Sequence, residues 1–326
     1  MVLESKERLA LPIMTHPGID IIGMKVTDAV KNGEVHFNTI KALRDNFPSA
    51  AATMMMDLTV EAEAFGSKII FSDDEIPSVS SAIVHNRTSI ENLRVPLLQA
   101  ARVPQYLKAA ELAVDYISDR PVFAGCIGPF SLAGRLFDMS EMMPALYLDP
   151  ELIKILIEKC AEFLLGYIQE YKKIGVNGII MAEPAAGLLS ADLCDKYSSK
   201  FIKKIVASIQ DDQFLFILHN CGNTGHVTNS MVSTGAGGLH FGNKINILTV
   251  LNEVPKDILV LGNLDPVEVF KTATPDKVFD TTVKLLQATK NSKNFIISSG
   301  CDTPPGVSQK NIRSFFKAVQ EFNSSL

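Results

Sequence analysis

The sequence lacks the features that mark membrane, secreted and nucleic-acid-binding proteins. No uncharged apolar stretch approaches the roughly 18–20 residues that cross a bilayer. The charged N-terminus has no apolar segment of the kind found in signal peptides. There is no block of lysine and arginine, and the formal net charge is −5. We therefore expect a protein that neither enters a membrane nor binds nucleic acid.

Cysteine and linker-like sequence are also scarce. Five cysteines are scattered over 326 residues, an odd number that does not form the pattern of a disulfide framework. No stretch rich in proline, glycine and serine divides the chain, and no internal repeat is visible. We expect a cytoplasmic protein, where thiols stay reduced. The sequence predicts one domain over residues 1–326, with residues 1–50 as an N-terminal extension packed on it.

Short apolar runs alternate with segments of helical periodicity over about 270 residues. Eight strands that alternate with helices predict a single (β/α)8 barrel of the TIM type, with a doubly wound open sheet as the alternative. Helices are predicted at 37–46, 103–117, 151–174, 191–209, 243–254, 275–289 and 308–322. The predicted strands are 51–56, 68–71, 122–126, 178–182, 214–218, 238–241, 258–261 and 295–297.

Each predicted strand is followed by polar or turn-forming residues. The active site of a TIM barrel lies at the C-terminal ends of its strands, so these residues are the candidates for function. Four of the eight positions carry histidine, cysteine or glutamate, which are residue types that bind zinc. In chain order the residues are Asp57, Asp73, Pro129, Glu183, His219 with Cys221, His240, Asn263 with Asp265, and Cys301.

His219, Cys221 and Cys301 predict a zinc site. His219 and Cys221 are two residues apart, so their side chains leave the extended chain on the same side. Cys301 follows another strand, and a shared parallel sheet would bring the three together. Zinc binds Cys sulfur, His nitrogen and carboxylate oxygen, so Glu183 is the candidate fourth ligand. The alternative is a buried histidine beside structural thiols.

A zinc ion with two thiolates and a carboxylate suits one class of reaction. Its ligands carry more negative charge than the ion neutralises, which makes it a poor electrophile for carbonyl groups. It can still bind an incoming thiol and hold it as a thiolate at neutral pH. The ligand set therefore favours thiol alkylation over carbonyl hydrolysis. Asp73 could equally be a solvated loop carboxylate, and His240 a hydrogen-bonded core histidine.

Several motifs together resemble the uroporphyrinogen decarboxylase superfamily. The blocks at 128–134 and 262–266, Gly-Pro-Phe and Gly-Asn-Leu-Asp-Pro, are typical of the superfamily as a whole. His-x-Cys at 219–221 with a distant Cys301 resembles, more specifically, its cobalamin-dependent methyltransferases of the methylcobamide:coenzyme M type. The resemblance covers nearly the whole chain. The other segments that resemble the superfamily are 69–74, 183–190 and 299–301.

This resemblance implies a barrel that binds zinc through His219, Cys221, Cys301 and Glu183. The thiolate of a small acceptor such as coenzyme M, held at the zinc, would attack the methyl group on Co(III) of a methylated corrinoid and release Co(I). No Asp-x-His-x-x-Gly corrinoid motif is present, so a separate corrinoid protein is expected to bring the methylcobalamin. The expected cofactor-binding residues are Asp73, Pro129, His240, Asn263 and Asp265.

Other functions remain open at this point. Decarboxylases of the superfamily carry an arginine-rich N-terminal motif and need no zinc, whereas residues 11–18 here contain no arginine. A non-catalytic protein that binds zinc or corrinoid on the same barrel is a third hypothesis. Tetrahydrofolate is an alternative methyl acceptor, and the upstream methyl donor is not identified by the sequence.

Overall fold

The structure is a computed structural model that describes residues 3–222 and 225–326. Within these residues, the largest sheet has seven parallel strands and a separate hairpin has two antiparallel strands. The strands are β1 (Ala52–Thr53), β2 (Ile69–Ile70), β3 (Ser78–Val79), β4 (Val122–Ile127), β5 (Gly178–Ala182), β6 (Leu215–Asn220), β7 (Gly238–Phe241), β8 (Leu259–Leu264) and β9 (Phe295–Ser299). The order in the large sheet is β1-β4-β5-β6-β7-β8-β9.

Helices connect and cover these strands. Among the described helices, none combines the length and apolarity that a membrane crossing requires. The helices are α1 (His16–Ile22), α2 (Val26–Lys31), α3 (Gly33–Asn46), α4 (Val60–Ala64), α5 (Arg87–Asn92), α6 (Val103–Tyr116), α7 (Pro129–Phe137), α8 (Met139–Leu148), α9 (Pro150–Ile174), α10 (Ala191–Cys194), α11 (Lys200–Ile209), α12 (Thr228–Val232), α13 (Ile247–Glu253), α14 (Pro275–Ala288) and α15 (Gln309–Ser324).

The sheet is buried on both faces. Every residue of β4, β5, β7 and β9 is buried, which explains why these strands are continuous apolar runs in the sequence. Alternate residues of the strands form a small cluster of their own, separate from the larger core beneath the helices. The smaller cluster includes Leu11, Phe123, Ile180, Ile217, Leu261 and Ile296.

Residues 9–11 join the two edges of the sheet. The N–H of Leu11 donates to the carbonyl oxygen of Ile297 (2.9 Å), and the N–H of Ile297 donates to that of Leu9 (3.1 Å). On the other side, the N–H of Ala50 donates to the carbonyl oxygen of Ala10 (2.8 Å), just before β1. This short segment therefore takes the place of an eighth strand and links β9 to β1.

The prediction that residues 68–71 form a barrel strand was wrong. Ile69–Ile70 pairs antiparallel with Ser78–Val79 in the separate hairpin. Ile70 is 57% exposed, so this apolar run in the sequence does not form a buried strand. The six predicted strands from 122–126 onward lie in the sheet within a few residues of the expected bounds, and the predicted strand at 51–56 is reduced to β1.

The helix predictions succeeded where the apolar stripe was long. The stripe predicted for 151–174 is buried along α9, from Ile153 to Tyr171. The helices predicted at 103–117, 275–289 and 308–322 correspond to α6, α14 and α15. The one predicted at 191–209 is divided by a π-helical turn at Asp195–Ser199 between α10 and α11.

Candidate metal centre at the ends of the strands

Two thiols and one imidazole meet at the C-terminal end of the sheet. The metal-binding atoms of His219, Cys221 and Cys301 all lie within 4.8 Å of one another. β6 and β9 are separated in the sheet by two strands, which in a flat sheet would put them roughly 14 Å apart. The curvature of the sheet therefore creates this cluster, and the sequence-based prediction that the three residues converge agrees with the structure.

Two glycines allow the loops around the cluster to approach closely. A Cβ atom at Gly242 would lie 2.6 Å from the carbonyl oxygen of Cys221. A Cβ atom at Gly300 would lie 2.5 Å from the backbone nitrogen of Asn243. The loops after β6, β7 and β9 thus touch backbone to backbone, and this contact brings Cys221 and Cys301 to the same place.

The two thiols interact directly. Cys221 and Cys301 are both partly exposed, and a hydrogen bond between them lowers the pKa of Cys221 to about 7. The same hydrogen bond, together with burial, raises the pKa of Cys301 well above its usual value. Of the two thiols, Cys221 is thus the one that ionises more readily, and a thiolate there would carry negative charge. That charge makes the cluster an attractive site for a cation.

His219 is held from its other side by a second histidine. The Nδ1 atom of His219 lies 2.7 Å from the Nδ1 atom of His240, and the two rings are nearly perpendicular. The Nε2 atom of His240 lies 2.8 Å from Oγ of Ser298. Burial, followed by the neighbouring His219, lowers the pKa of His240 well below its usual value. Ser298 was not singled out from the sequence, although two serines ending an apolar strand are a possible signal.

Glu183 is buried but lies outside the cluster of three. Its Oε1 atom accepts hydrogen bonds from the backbone N–H of Phe130 (2.9 Å) and Ser131 (3.2 Å), and from Oγ of Ser198 (3.2 Å). Burial raises the pKa of its carboxyl group to about 8. A Cβ atom at Gly128 would lie only 1.6 Å from Oε2, so the carboxyl group fills the space where β4 leads into α7. The structure thus places Glu183 at the N-terminus of α7, and its role as a zinc ligand stays a prediction.

Asp73 follows a strand of the hairpin, and its contact with a corrinoid stays a prediction. This strand, β2, lies outside the sheet, so the expectation that Asp73 follows a barrel strand was wrong. Its Oδ2 atom forms an ion pair of 2.6 Å with Nζ of Lys25, and both side chains are at least half exposed. The hydroxyl of Thr27 also donates to Oδ1 of Asp73 (2.7 Å). Asp73 holds the start of α2 against this loop.

The remaining predicted residues organise the loops after β4, β7 and β8. Pro129 is the buried first residue of α7. The amide of Asn263 donates to the carbonyl oxygens of Gly242 (2.9 Å) and Ile245 (2.8 Å). Asp265 accepts from two backbone N–H groups of the π-helical turn Pro266–Lys271. Their contact with a corrinoid stays a prediction.

Residues 8–322 match the family described as "Uroporphyrinogen decarboxylase (URO-D)". The chain belongs to this family. The solved structure of a methyltransferase from Methanosarcina mazei superimposes with a TM-score of 0.90, covering 98% of this chain and 96% of that chain at 22% identity. This likeness confirms the barrel fold of the family.

The curated relatives of this chain include both methyltransferases and decarboxylases. The methylcobamide:CoM methyltransferase MtbA of Methanosarcina acetivorans is 28% identical over 276 residues, which cover 83% of this chain and 80% of that protein. A uroporphyrinogen decarboxylase of Alcanivorax borkumensis is 22% identical over 307 residues, 91% of this chain and 86% of that protein. Family membership alone therefore does not decide the reaction.

Proposed function

We propose that the protein is a corrinoid-dependent methyltransferase that binds zinc at His219, Cys221 and Cys301. It moves a methyl group from a methylated corrinoid, held by a separate corrinoid protein, to a small thiol such as coenzyme M. The observation that carries the proposal is the convergence of two thiols and an imidazole at the C-terminal face of the barrel. The similarity to a protein named methylcobamide:CoM methyltransferase supports it.

The three donors fit a zinc ion. Two sulfurs and one imidazole nitrogen are ligands that zinc prefers, and catalytic zinc sites commonly use three protein ligands and leave a fourth position for a substrate. Donor atoms on one tetrahedral zinc lie roughly 3.5–3.8 Å apart, given typical bond lengths. The three atoms are within 4.8 Å of one another, so only a small inward movement is needed.

The ligand set suits thiol methylation. Bound zinc would supply the positive charge that lowers the pKa of an acceptor thiol and keeps it ionised at neutral pH. Cys221 and Cys301 add negative charge, which keeps the acceptor sulfur electron-rich and reactive towards carbon. That sulfur attacks the methyl carbon opposite cobalt, so a C–S bond forms while the Co–C bond breaks. The electron pair of the broken bond stays on cobalt as Co(I), and the thiol proton passes to solvent.

The structure gives less support to decarboxylation. The segment at 11–18 has no arginine to hold substrate carboxylates. The backbone of its first residue, Leu11, is hydrogen-bonded to β9 at the edge of the sheet. Decarboxylation also does not require the two thiols and the imidazole that meet at this face.

The test is an anaerobic assay with methylcobalamin and coenzyme M. We expect thiol-dependent loss of the methyl-Co(III) absorption bands, and zinc in a ratio of about one per chain. Cys301→Ser should abolish the spectral change. Cys194→Ala, which removes a buried thiol on α10, is the matched control and should leave it intact. No spectral change with coenzyme M or any other small thiol would overturn the proposal, and the assay would then be repeated with tetrahydrofolate.

A further inference from the structure

A continuous chain of hydrogen bonds runs from the N-terminal segment to the metal centre. The hydroxyl of Ser298 donates to the backbone carbonyl oxygen of Leu11, with 2.6 Å between the two oxygens. Oγ of Ser298 lies 2.8 Å from Nε2 of His240, and Nδ1 of His240 lies 2.7 Å from Nδ1 of His219. All four residues are buried, with 4% exposure at most.

The position of each proton follows from the end of this chain. A carbonyl oxygen can only accept, so the single hydroxyl proton of Ser298 points at Leu11. Oγ of Ser298 must then accept from His240, which places the ring proton of His240 on Nε2. A neutral imidazole has one donor and one acceptor nitrogen, so Nδ1 of His240 accepts. It follows that His219 carries its proton on Nδ1.

We propose that Ser298 and His240 are positioning residues that fix His219 as the Nδ1–H tautomer. Nε2 of His219 then carries the lone pair, and it is the atom that binds the metal together with Cys221 and Cys301. The inference rests on the proposed function only in naming zinc as the ion bound there. Neither Ser298 nor His240 touches the ion. Both act through His219.

The arrangement matters because a histidine without such a partner can place its proton on either nitrogen and can rotate. Hydrogen bonds from outer residues orient a metal-binding imidazole and raise its basicity, and their loss typically weakens metal affinity 10–100-fold. Here the outer residues lie on β7 and β9, and the final acceptor is the segment that joins the sheet edges. The position of His219 therefore depends on three separate parts of the barrel wall.

The first test compares two neighbouring serines of β9. Ser298→Ala removes the acceptor for His240, and we expect zinc affinity, measured by competition with a chelator, to fall about 10–100-fold. Ser299→Ala is the matched control. Ser299 is equally buried and also holds the N-terminal segment, because its Oγ accepts from the N–H of Ile13 (3.0 Å). His240 interacts with the backbone of Ser299, which the substitution to alanine leaves in place. Ser299→Ala should keep the wild-type affinity, and Ser298→Thr, which keeps the hydroxyl, should recover most of it.

The second test reads the proton positions directly and would not respond to a general loss of packing. In protein labelled with ¹⁵N-histidine, long-range ¹H–¹⁵N couplings show which ring nitrogen carries the proton. We expect Nδ1–H for His219 and Nε2–H for His240 in the wild type, both zinc-free and zinc-loaded, and a loss of this fixed pattern in Ser298→Ala. A proton on Nε2 of His219 in the zinc-free wild type would overturn the inference.

The two proposals fail in different ways. A wild-type protein that binds no zinc overturns the proposed function, while the zinc-free spectra still decide the tautomer. A wild-type protein that binds zinc with the same affinity as Ser298→Ala overturns the positioning role and leaves the proposed function standing.

Discussion

The carboxylate of Glu61 accepts a hydrogen bond from the backbone N–H of Ile127, with 3.0 Å between Oε1 and the nitrogen. Ile127 ends β4, whose pairing with β1 reaches only Val122 and Phe123. A side chain therefore provides the acceptor that a neighbouring strand would otherwise supply. Glu61 is 1% exposed, and its Oε2 atom has no hydrogen-bond partner within the described residues.

This buried carboxyl group predicts a pH dependence of stability. Burial raises the pKa of Glu61 to about 7, whereas an unfolded glutamate titrates near 4.3. A raised pKa means that the folded state binds the proton more tightly, so the stabilisation is complete below the unfolded pKa and is lost as the pH rises towards 7. We expect the free energy of unfolding to fall by on the order of 2 kcal/mol from this group between pH 5 and pH 8.

Urea unfolding at several pH values checks this expectation. Glu61→Gln has no titrating group at this position, so its free energy of unfolding should decline less across the same pH range. Glu162→Gln, on the exposed face of α9, is the control and should follow the wild type. Identical pH profiles for Glu61→Gln and the wild type would contradict the prediction.

Glu183→Gln separates two roles of one residue. If the carboxylate only caps α7, the amide oxygen of glutamine can accept the same backbone hydrogen bonds, and zinc affinity should stay within a few-fold of wild type. We expect this outcome, since the cluster of donor atoms in the described residues contains three members without Glu183. A loss of zinc affinity of tenfold or more, with the melting temperature unchanged, would instead identify Glu183 as the fourth ligand.

A pair of glycine variants tests the packing of the same carboxyl group. Gly128→Ala places a Cβ atom 1.6 Å from Oε2 of Glu183, so we expect a loss of about 2 kcal/mol or more in the free energy of unfolding. Gly166→Ala is the matched control on α9, where an added Cβ meets nothing within 4 Å. It should stabilise the protein by roughly 0.5–1 kcal/mol, because alanine is the better helix former. Equal melting temperatures for the two variants would show that the site beside Glu183 can relax.

Metal removal should separate activity from folding. The cluster lies at the ends of the strands, and the strands themselves are held by apolar packing. A chelator is therefore expected to abolish thiol-dependent demethylation and to leave the far-UV circular dichroism unchanged. Zinc at 100 times its Kd should stabilise the folded state by about 2.7 kcal/mol, because it binds only that state tightly. A metal-free protein with the same melting temperature as the zinc-loaded protein would argue against a tight site.

The sequence predicted the strands correctly where they are buried along their whole length. The parallel strands β4 to β9 are apolar because both their faces are covered, and this composition is visible without a structure. The metal-binding candidates were visible for a related reason, since a histidine or cysteine directly after such a strand lies at the face where barrel sites form. The convergence of His219, Cys221 and Cys301 required only that the strands be parallel and the sheet curved.

What the sequence did not reveal depends on contacts between distant segments. Residues 9–11 are too few to show the alternation of apolar and polar residues that marks a strand. Their place in the sheet is set by hydrogen bonds with Ile297 and Ala50. Ser298 resembles any other small polar residue until its distance to His240 is known. The apolar run at 68–71 was wrongly predicted to be a barrel strand, because an exposed hairpin can use the same residue types as a buried strand.

The junction between residues 9–11 and β9 has a consequence for how the protein is made. Leu11 and Ser298 are 287 positions apart, and their hydrogen bond belongs to the junction at which the two sheet edges meet. Contacts of such long range form late, since a large loop must be ordered first. A nascent chain therefore cannot close the barrel through this junction before β9 has been made. We expect chains that stop before residue 295, which also lack Cys301, to retain no zinc. Acquisition of the metal would then report that synthesis has been completed.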